Sequence, residues 1–136
     1  MEERTMPVAL PGGAVVEAHY KGFNIRTDQP VYSGGTGTAP APFDLFLASI
    51  ATCAGYYVLA FCQERKIATE GISIVMKMDK NQETKKLEQI AIEISLPRSF
   101  PVKYKNVVIR AVDQCAVKRY IINPPAFSIT AEIQPQ

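Results

Sequence analysis

Apolar and polar residues alternate toward both ends of the chain, and an unbroken apolar run lies between. Val15-Val-Glu-Ala-His-Tyr20 and Phe23-Asn-Ile-Arg26 read as strands joined by a tight turn at Lys21-Gly22. Pro11-Gly-Gly13 turns the chain before them, so residues 7–28 are predicted to form a short β-meander. Later, Ile72-Ser-Ile-Val-Met-Lys-Met78 and Gln89-Ile-Ala-Ile-Glu-Ile-Ser-Leu96 flank a polar turn from Asp79 to Lys86. In the second of these, Ile90, Ile92, Ile94 and Leu96 point one way and Gln89, Glu93 and Ser95 the other. That is the signature of an antiparallel sheet with one face covered and one wet. Ala126-Phe-Ser-Ile-Thr-Ala-Glu-Ile133 reads as a last alternating strand.

From Leu45 to Cys62 no residue is charged, and apolar or small side chains cover every face. Pro42 suits the first turn of a helix, where its missing N–H costs nothing, and Asp44 complements the helix dipole there. The spacing predicts a helix from about Pro42 to Lys66, with Gly71 closing the connection after it. A helix apolar all round is expected to be buried. Eighteen uncharged residues also reach the lower bound for a membrane span. Ser49, Thr52, Gly55 and several alanines, followed directly by Gln-Glu-Arg-Lys, favour a central helix in a water-soluble domain instead. Ser99 and Pro101 signal a second helix. Its inward stripe runs through Tyr104, Val108, Ala111 or Val112, and Cys115 until Pro124-Pro125 stop it. The expected class is α+β, one domain over residues 1–136, with an antiparallel sheet packed on a long buried central helix and a second helix.

A net charge of +2, carried by scattered residues, argues for neither nucleic acid nor a membrane surface as partner. Met1-Glu-Glu-Arg has no apolar run behind it, so no signal peptide is expected. Three cysteines without such a signal suggest free thiols in a reducing compartment, the cytoplasm. One histidine, His19 in a strand, and no Cys-x-x-Cys leave too few ligands for a metal site. Ser33-Gly-Gly-Thr-Gly-Thr38 lacks the Lys-Ser/Thr that would complete a phosphate cradle, and reads as a loop delivering the chain to the helix.

The remaining chemistry lies in the cysteines. A free cysteine in an apolar helix is most often a small packing residue, and alone Cys53 would be read so. Cys115, in a more polar setting much later, offers a second thiol. Cys62 lies nine residues after Cys53, about 180° around the helix, and is expected to be a packing residue outside any shared pocket.

Four features in order resemble the OsmC/Ohr family, the osmotically induced and organic hydroperoxide resistance proteins, and the OsmC-like branch more than Ohr. Gly22-Phe-Asn-Ile-Arg26 resembles the strand that presents an arginine in that branch. Ala41-Pro-Phe-Asp-Leu-Phe-Leu-Ala-Ser-Ile-Ala-Thr-Cys53 resembles the family's proline-started helix, and Ala111-Val-Asp-Gln-Cys-Ala-Val-Lys118 the segment around its second cysteine. The order of elements over nearly the whole chain is the fourth. The resemblance implies an intertwined homodimer with the long helices at its centre. It also implies reduction of small organic hydroperoxides with no bound cofactor, the resulting disulfide being reduced by an external dithiol, typically a lipoylated protein.

On that resemblance Cys53 is the candidate peroxidatic thiol, Cys115 the resolving thiol and Arg26 the cation that favours the thiolate. One cation about 4 Å away contributes roughly 4 kcal/mol at an effective dielectric near 20. Bringing a thiol from about 8.5 to about 6 takes roughly 3.4 kcal/mol. Without the resemblance Arg26 reads as a solvated strand-edge residue. Lys118 and Arg119 are placed to lower the pKa of Cys115. Phe43, Tyr56 and Tyr57 are candidates for an apolar substrate pocket, core packing being the alternative for the tyrosines. Two positions depart from the family pattern. Gly12-Gly13-Ala14 stand where Ohr-type members carry an arginine, and Phe43 stands where the peroxidases carry a glutamate that orients the arginine. Asp44, facing away from Cys53, reads as a helix-start carboxylate. These departures imply either a different orientation of Arg26 or a weaker peroxidase. The alternative function is a non-catalytic homodimer that binds an apolar ligand or senses redox state.

Overall fold

The computed structural model describes residues 1–135, which divide into two compact units, one from Met1 to Ser49 and one from Ile50 onward. In the first, β1 (Val8–Gly12), β2 (Val15–Tyr20) and β3 (Phe23–Thr27) form an antiparallel sheet in that order. Tyr20 pairs with Phe23, and the turn between them holds Lys21 at φ 52° and Gly22 at φ 81°. Two successive left-handed residues match the twist of a tight hairpin, which is why a glycine follows the lysine. The predicted meander is present, with Val8–Gly12 as its first strand.

The loop after β3 is organised by one carboxylate. Asp28 is buried, and its Oδ1 accepts the Gln29 N–H at 2.7 Å. Its Oδ2 accepts the Thr36 and Thr38 hydroxyls at 2.7 and 2.9 Å and their backbone N–H groups at 3.2 Å each. The Thr36 hydroxyl first, then the Gln29 and Thr38 N–H groups, hold this carboxyl far below the usual carboxylate range against the opposing effect of burial.

Helix α1 (Pro42–Glu64) begins in the first unit and continues into the second. The Ala41 N–H donates to Asp44 Oδ2 at 2.9 Å, so Asp44 closes the helix start. Only one stripe of α1 is buried, through Ile50, Ala54, Val58, Phe61 and Cys62. Phe43, Phe46, Tyr56 and Leu59 are exposed. The expected burial on all sides is therefore corrected: within the second unit, only one face of the helix has elements packed on it. By length and composition α1 also suffices to cross a membrane.

In the second unit β4 (Ser73–Lys80) and β5 (Leu87–Ser95) form a separate two-stranded antiparallel sheet. Ile74 is paired with Ile94, Met76 with Ile92 and Met78 with Ile90. Val58, Phe61 and Cys62 pack with Phe100 and Val108, and Ile74, Ile94 and Leu96 close over them. Fully burying each such side chain contributes about 1.5–3 kcal/mol.

Two further expectations are corrected. The second helix is not continuous: a 3-10 turn at Val102–Tyr104 leads into α2 (Lys105–Val112), and α3 (Ala116–Ile122) follows a break. The N–H groups of Gln114 and Cys115 bond back only three residues, to Ala111 and Val112, tightening the last turn of α2. Cys115 then turns extended at ψ 124°. The predicted strand at 126–133 does not form; Phe127, Ile129 and Ile133 are exposed. An alternating segment becomes a strand only where another strand satisfies its backbone, and here none pairs with it.

Candidate functional site: a thiol pair in the second unit

The break between α2 and α3 brings two sequence-distant thiols together. Cys53 sits mid-helix in α1 and is half-buried, whereas Cys115, at the entry to α3, is 3% exposed. The Cys115 S–H donates a hydrogen bond to the Cys53 sulfur. The Ala116 and Val117 backbone N–H groups also point at Cys53, while those of Val117 and Lys118 serve Cys115.

The consequences for the two sulfurs are opposite. Burial pushes the Cys53 thiol up, but the Cys115 hydrogen bond, the two N–H donors and the positive charge of Arg119 together leave it below its ordinary value. Burial also pushes Cys115 up. Its role as donor to Cys53 adds to that rise, and the N–H groups of Lys118 and Val117 only partly oppose it. The expectation that Lys118 and Arg119 lower Cys115 is therefore corrected. The Lys118 ammonium is paired with Asp113, and the charge of Arg119 bears on Cys53 instead.

A cavity of about 470 Å³ borders the pair, with Cys115 in its wall. Five isoleucines (Ile50, Ile90, Ile92, Ile109 and Ile121) make it apolar, and Arg110, Asp113 and Lys118 supply its polar side. Neither candidate tyrosine lines it. Tyr57 faces a separate groove with Phe61, Arg65 and Val107, and Tyr56 is 62% exposed beside it, the two rings edge to face at 6.1 Å. Phe43, in the first unit, is exposed and stacks obliquely on Phe46 at 5.5 Å. Arg26, also in the first unit, donates to its cross-strand neighbour Glu17 at 2.7 Å. Cys62 is fully buried in the core, and burial pushes its thiol up, as suits a packing residue. Among the described residues no group of histidine, cysteine or carboxylate side chains is suited to a metal ion.

Sequence reasoning missed Ala116, Val117 and the sense in which Arg119 acts, because all three depend on the break after α2. The weak signal available was Cys115 falling at the end of the α2 stripe just before a second helical run.

Comparison with curated proteins finds no significant match. Solved structures are more informative. A Psychrobacter arcticus protein named for an osmotic stress induced and detoxification response shares 21% identity over 88% of each chain, with a TM-score of 0.71. An OsmC-like protein from Mycoplasma pneumoniae shares 15% over 90% of this chain and 89% of its own, at 0.65. An organic hydroperoxide resistance protein OsmC from Legionella pneumophila shares 19% over 89% and 91%, at 0.53. These likenesses establish the fold. The family model for OsmC-like proteins matches residues 35–130, spanning both cysteines and all three helices. The chain belongs to the OsmC-like protein family.

Proposed function

We propose that the chain is a thiol-dependent peroxidase that reduces organic hydroperoxides. The observation that carries this reading is the hydrogen-bonded pair in which Cys53 is favoured as thiolate and Cys115 as thiol. The Cys53 thiolate attacks one peroxide oxygen, the O–O bond breaks, and the alkoxide leaves as the alcohol after taking a proton. Cys53 becomes a sulfenic acid. Cys115, losing its proton, attacks that sulfur, giving a disulfide and water. An external dithiol of the lipoyl type returns two electrons and restores both thiols. The structural neighbour named as an organic hydroperoxide resistance protein supports the substrate class.

The reading includes a cytoplasmic homodimer. The exposed apolar residues of α1 and of the segment at 126–133 support a second copy as the partner that covers them. A second reading, a non-catalytic binder of an apolar ligand, rests on the isoleucine-lined cavity beside Cys115.

Consumption of cumene hydroperoxide with a dithiol reductant separates the two. Loss of turnover in Cys53→Ser, with a Cys53–Cys115 disulfide in the wild type after one equivalent of peroxide, supports the enzyme. Equal background rates in wild type and variant support the binder, and a disulfide involving Cys62 overturns the assignment of roles.

A further inference from the structure

Between Leu45 and Cys62, α1 carries no charge of its own, so any charge acting on Cys53 within the second unit comes from elements packed around it. β5 contributes Ile90 and Ile92 to the neighbouring cavity, and α2 contributes Arg110. Asp113 and Lys118, on either side of the helix break, neutralise each other in an ion pair. Arg119 remains. Its N–H donates to the Cys115 carbonyl at 3.0 Å and closes the first turn of α3. This is the turn whose Ala116 and Val117 N–H groups face the Cys53 sulfur. Its guanidinium forms no ion pair with any carboxylate among the described residues.

We propose that Arg119 is the positioning residue of the thiol pair, the side chain whose uncommitted positive charge holds Cys53 in its nucleophilic form. It takes the role that the family resemblance implies for Arg26. The inference rests on Cys53 being the attacking thiol, and it adds the source of that sulfur's reactivity. The guanidinium acts through the sulfur and contacts no substrate. Arg119 is exposed, so its charge acts through solvent and is weakened by salt.

The test is the pH dependence of Cys53 alkylation by iodoacetamide, followed by mass in a Cys62→Ala background. It needs no peroxide, so it stands apart from turnover: loss of peroxidase activity with a responsive thiol defeats the enzyme reading alone. Arg119→Gln is expected to move the midpoint to higher pH and slow alkylation at pH 7 by about two- to fourfold. Arg119→Lys is expected to restore most of the rate, and Lys118→Gln to leave the midpoint near the wild type. In the unmodified chain, raising salt from about 0.01 to about 1 M is expected to move the midpoint the same way as Arg119→Gln. An unchanged midpoint in Arg119→Gln, or one that is insensitive to salt, overturns the proposal. A shift produced by Arg26→Gln and not by Arg119→Gln also overturns it.

Discussion

The Cys115 thiol donates a hydrogen bond to the Cys53 sulfur, and this one contact separates two groups that start chemically identical. The donor keeps its proton because it is buried and has a sulfur to give it to. The acceptor loses its proton more readily because a thiolate is the better acceptor. The same contact sets their order of action in peroxide reduction: the sulfur that ionises first attacks, and the protonated neighbour resolves.

Removing the donor should therefore blunt the acceptor. Cys115→Ala deletes the S–H that favours the Cys53 thiolate, so the pH midpoint for Cys53 alkylation rises. A net hydrogen bond of about 0.5–1.5 kcal/mol corresponds to a two- to tenfold slower reaction near neutral pH. Cys53→Ala acts in the opposite direction on Cys115, whose raised pKa falls when the acceptor is lost. Alkylation rates of the single-cysteine chains against pH measure both.

The first unit should be sensitive to acid through Asp28. Its folded carboxyl lies far below the usual range, so as pH falls the unfolded chain takes up a proton first, near about pH 4. The contribution to stability is complete above that value and shrinks as pH falls toward the folded carboxyl's own titration. Asp28→Asn removes the charge that the two threonines and three N–H groups serve, and lowers the melting temperature at pH 7 by roughly 5 °C or more. The loss relative to wild type narrows below about pH 4. Thermal melts by circular dichroism across pH 3–7 give the comparison.

Gly35 permits the same loop to close. A Cβ at this position would collide with the Gln29 carbonyl and lie 2.7 Å from Asp28 Oδ1. Because the Gln29 obstacle is backbone, a flexible side chain cannot step aside. Gly35→Ala is expected to destabilise the chain by about 1–3 kcal/mol, whereas Gly13→Ala, whose Cβ meets nothing within 4 Å, meets only backbone strain at φ 58°. Urea denaturation of the two variants separates steric overlap from strain.

In the second unit Phe61 joins the core to the helix surface. It is 5% exposed, meets Tyr104 edge to face at 5.7 Å, and carries the Arg65 guanidinium 3.9 Å above its ring. Phe61→Ala should cost about 3–5 kcal/mol through lost burial and the cavity left behind. Phe61→Leu should recover most of that while still losing the cation–π contact, so the difference between the two in chemical denaturation isolates packing from the ring.

Much of this architecture is legible in the sequence because it follows local rules. Lys21-Gly22 announces a hairpin, the alternation Ile90–Leu96 announces a half-covered strand, and Pro42 with Asp44 marks a helix start. Nine residues of helical rotation also suffice to set Cys62 apart from Cys53. What escaped prediction depends on tertiary geometry. Periodicity carried the stripe Tyr104–Val108–Ala111 on to Cys115 without a stop, yet the chain leaves the helix at Asp113, and that departure aims the N–H groups of Ala116 and Val117 at a sulfur on another element. The strand predicted at Ala126–Ile133 failed for a related reason, since alternation records which side chains want burial and says nothing about which backbone will pair with them.

That unpaired segment leads to the last prediction. Phe127, Ile129 and Ile133 are 86%, 96% and 100% exposed, and on α1 Tyr56 and Leu59 present a shared apolar face three residues apart. Leaving so much apolar surface in water is unfavourable by about 25 cal/mol for each Å², and a second copy supplies both a matching helix and unpaired strand edges. Sedimentation velocity at micromolar concentration should therefore give a dimer. Leu59→Glu would place a carboxylate in the covered face and shift the population toward monomer by at least about tenfold in dissociation constant. Ending the chain after Pro125 should weaken the dimer while leaving the core around Phe61 and Val108 intact. A wild-type chain that sediments as a monomer would mean that these apolar residues have some other cover, and would remove the homodimer from the functional reading.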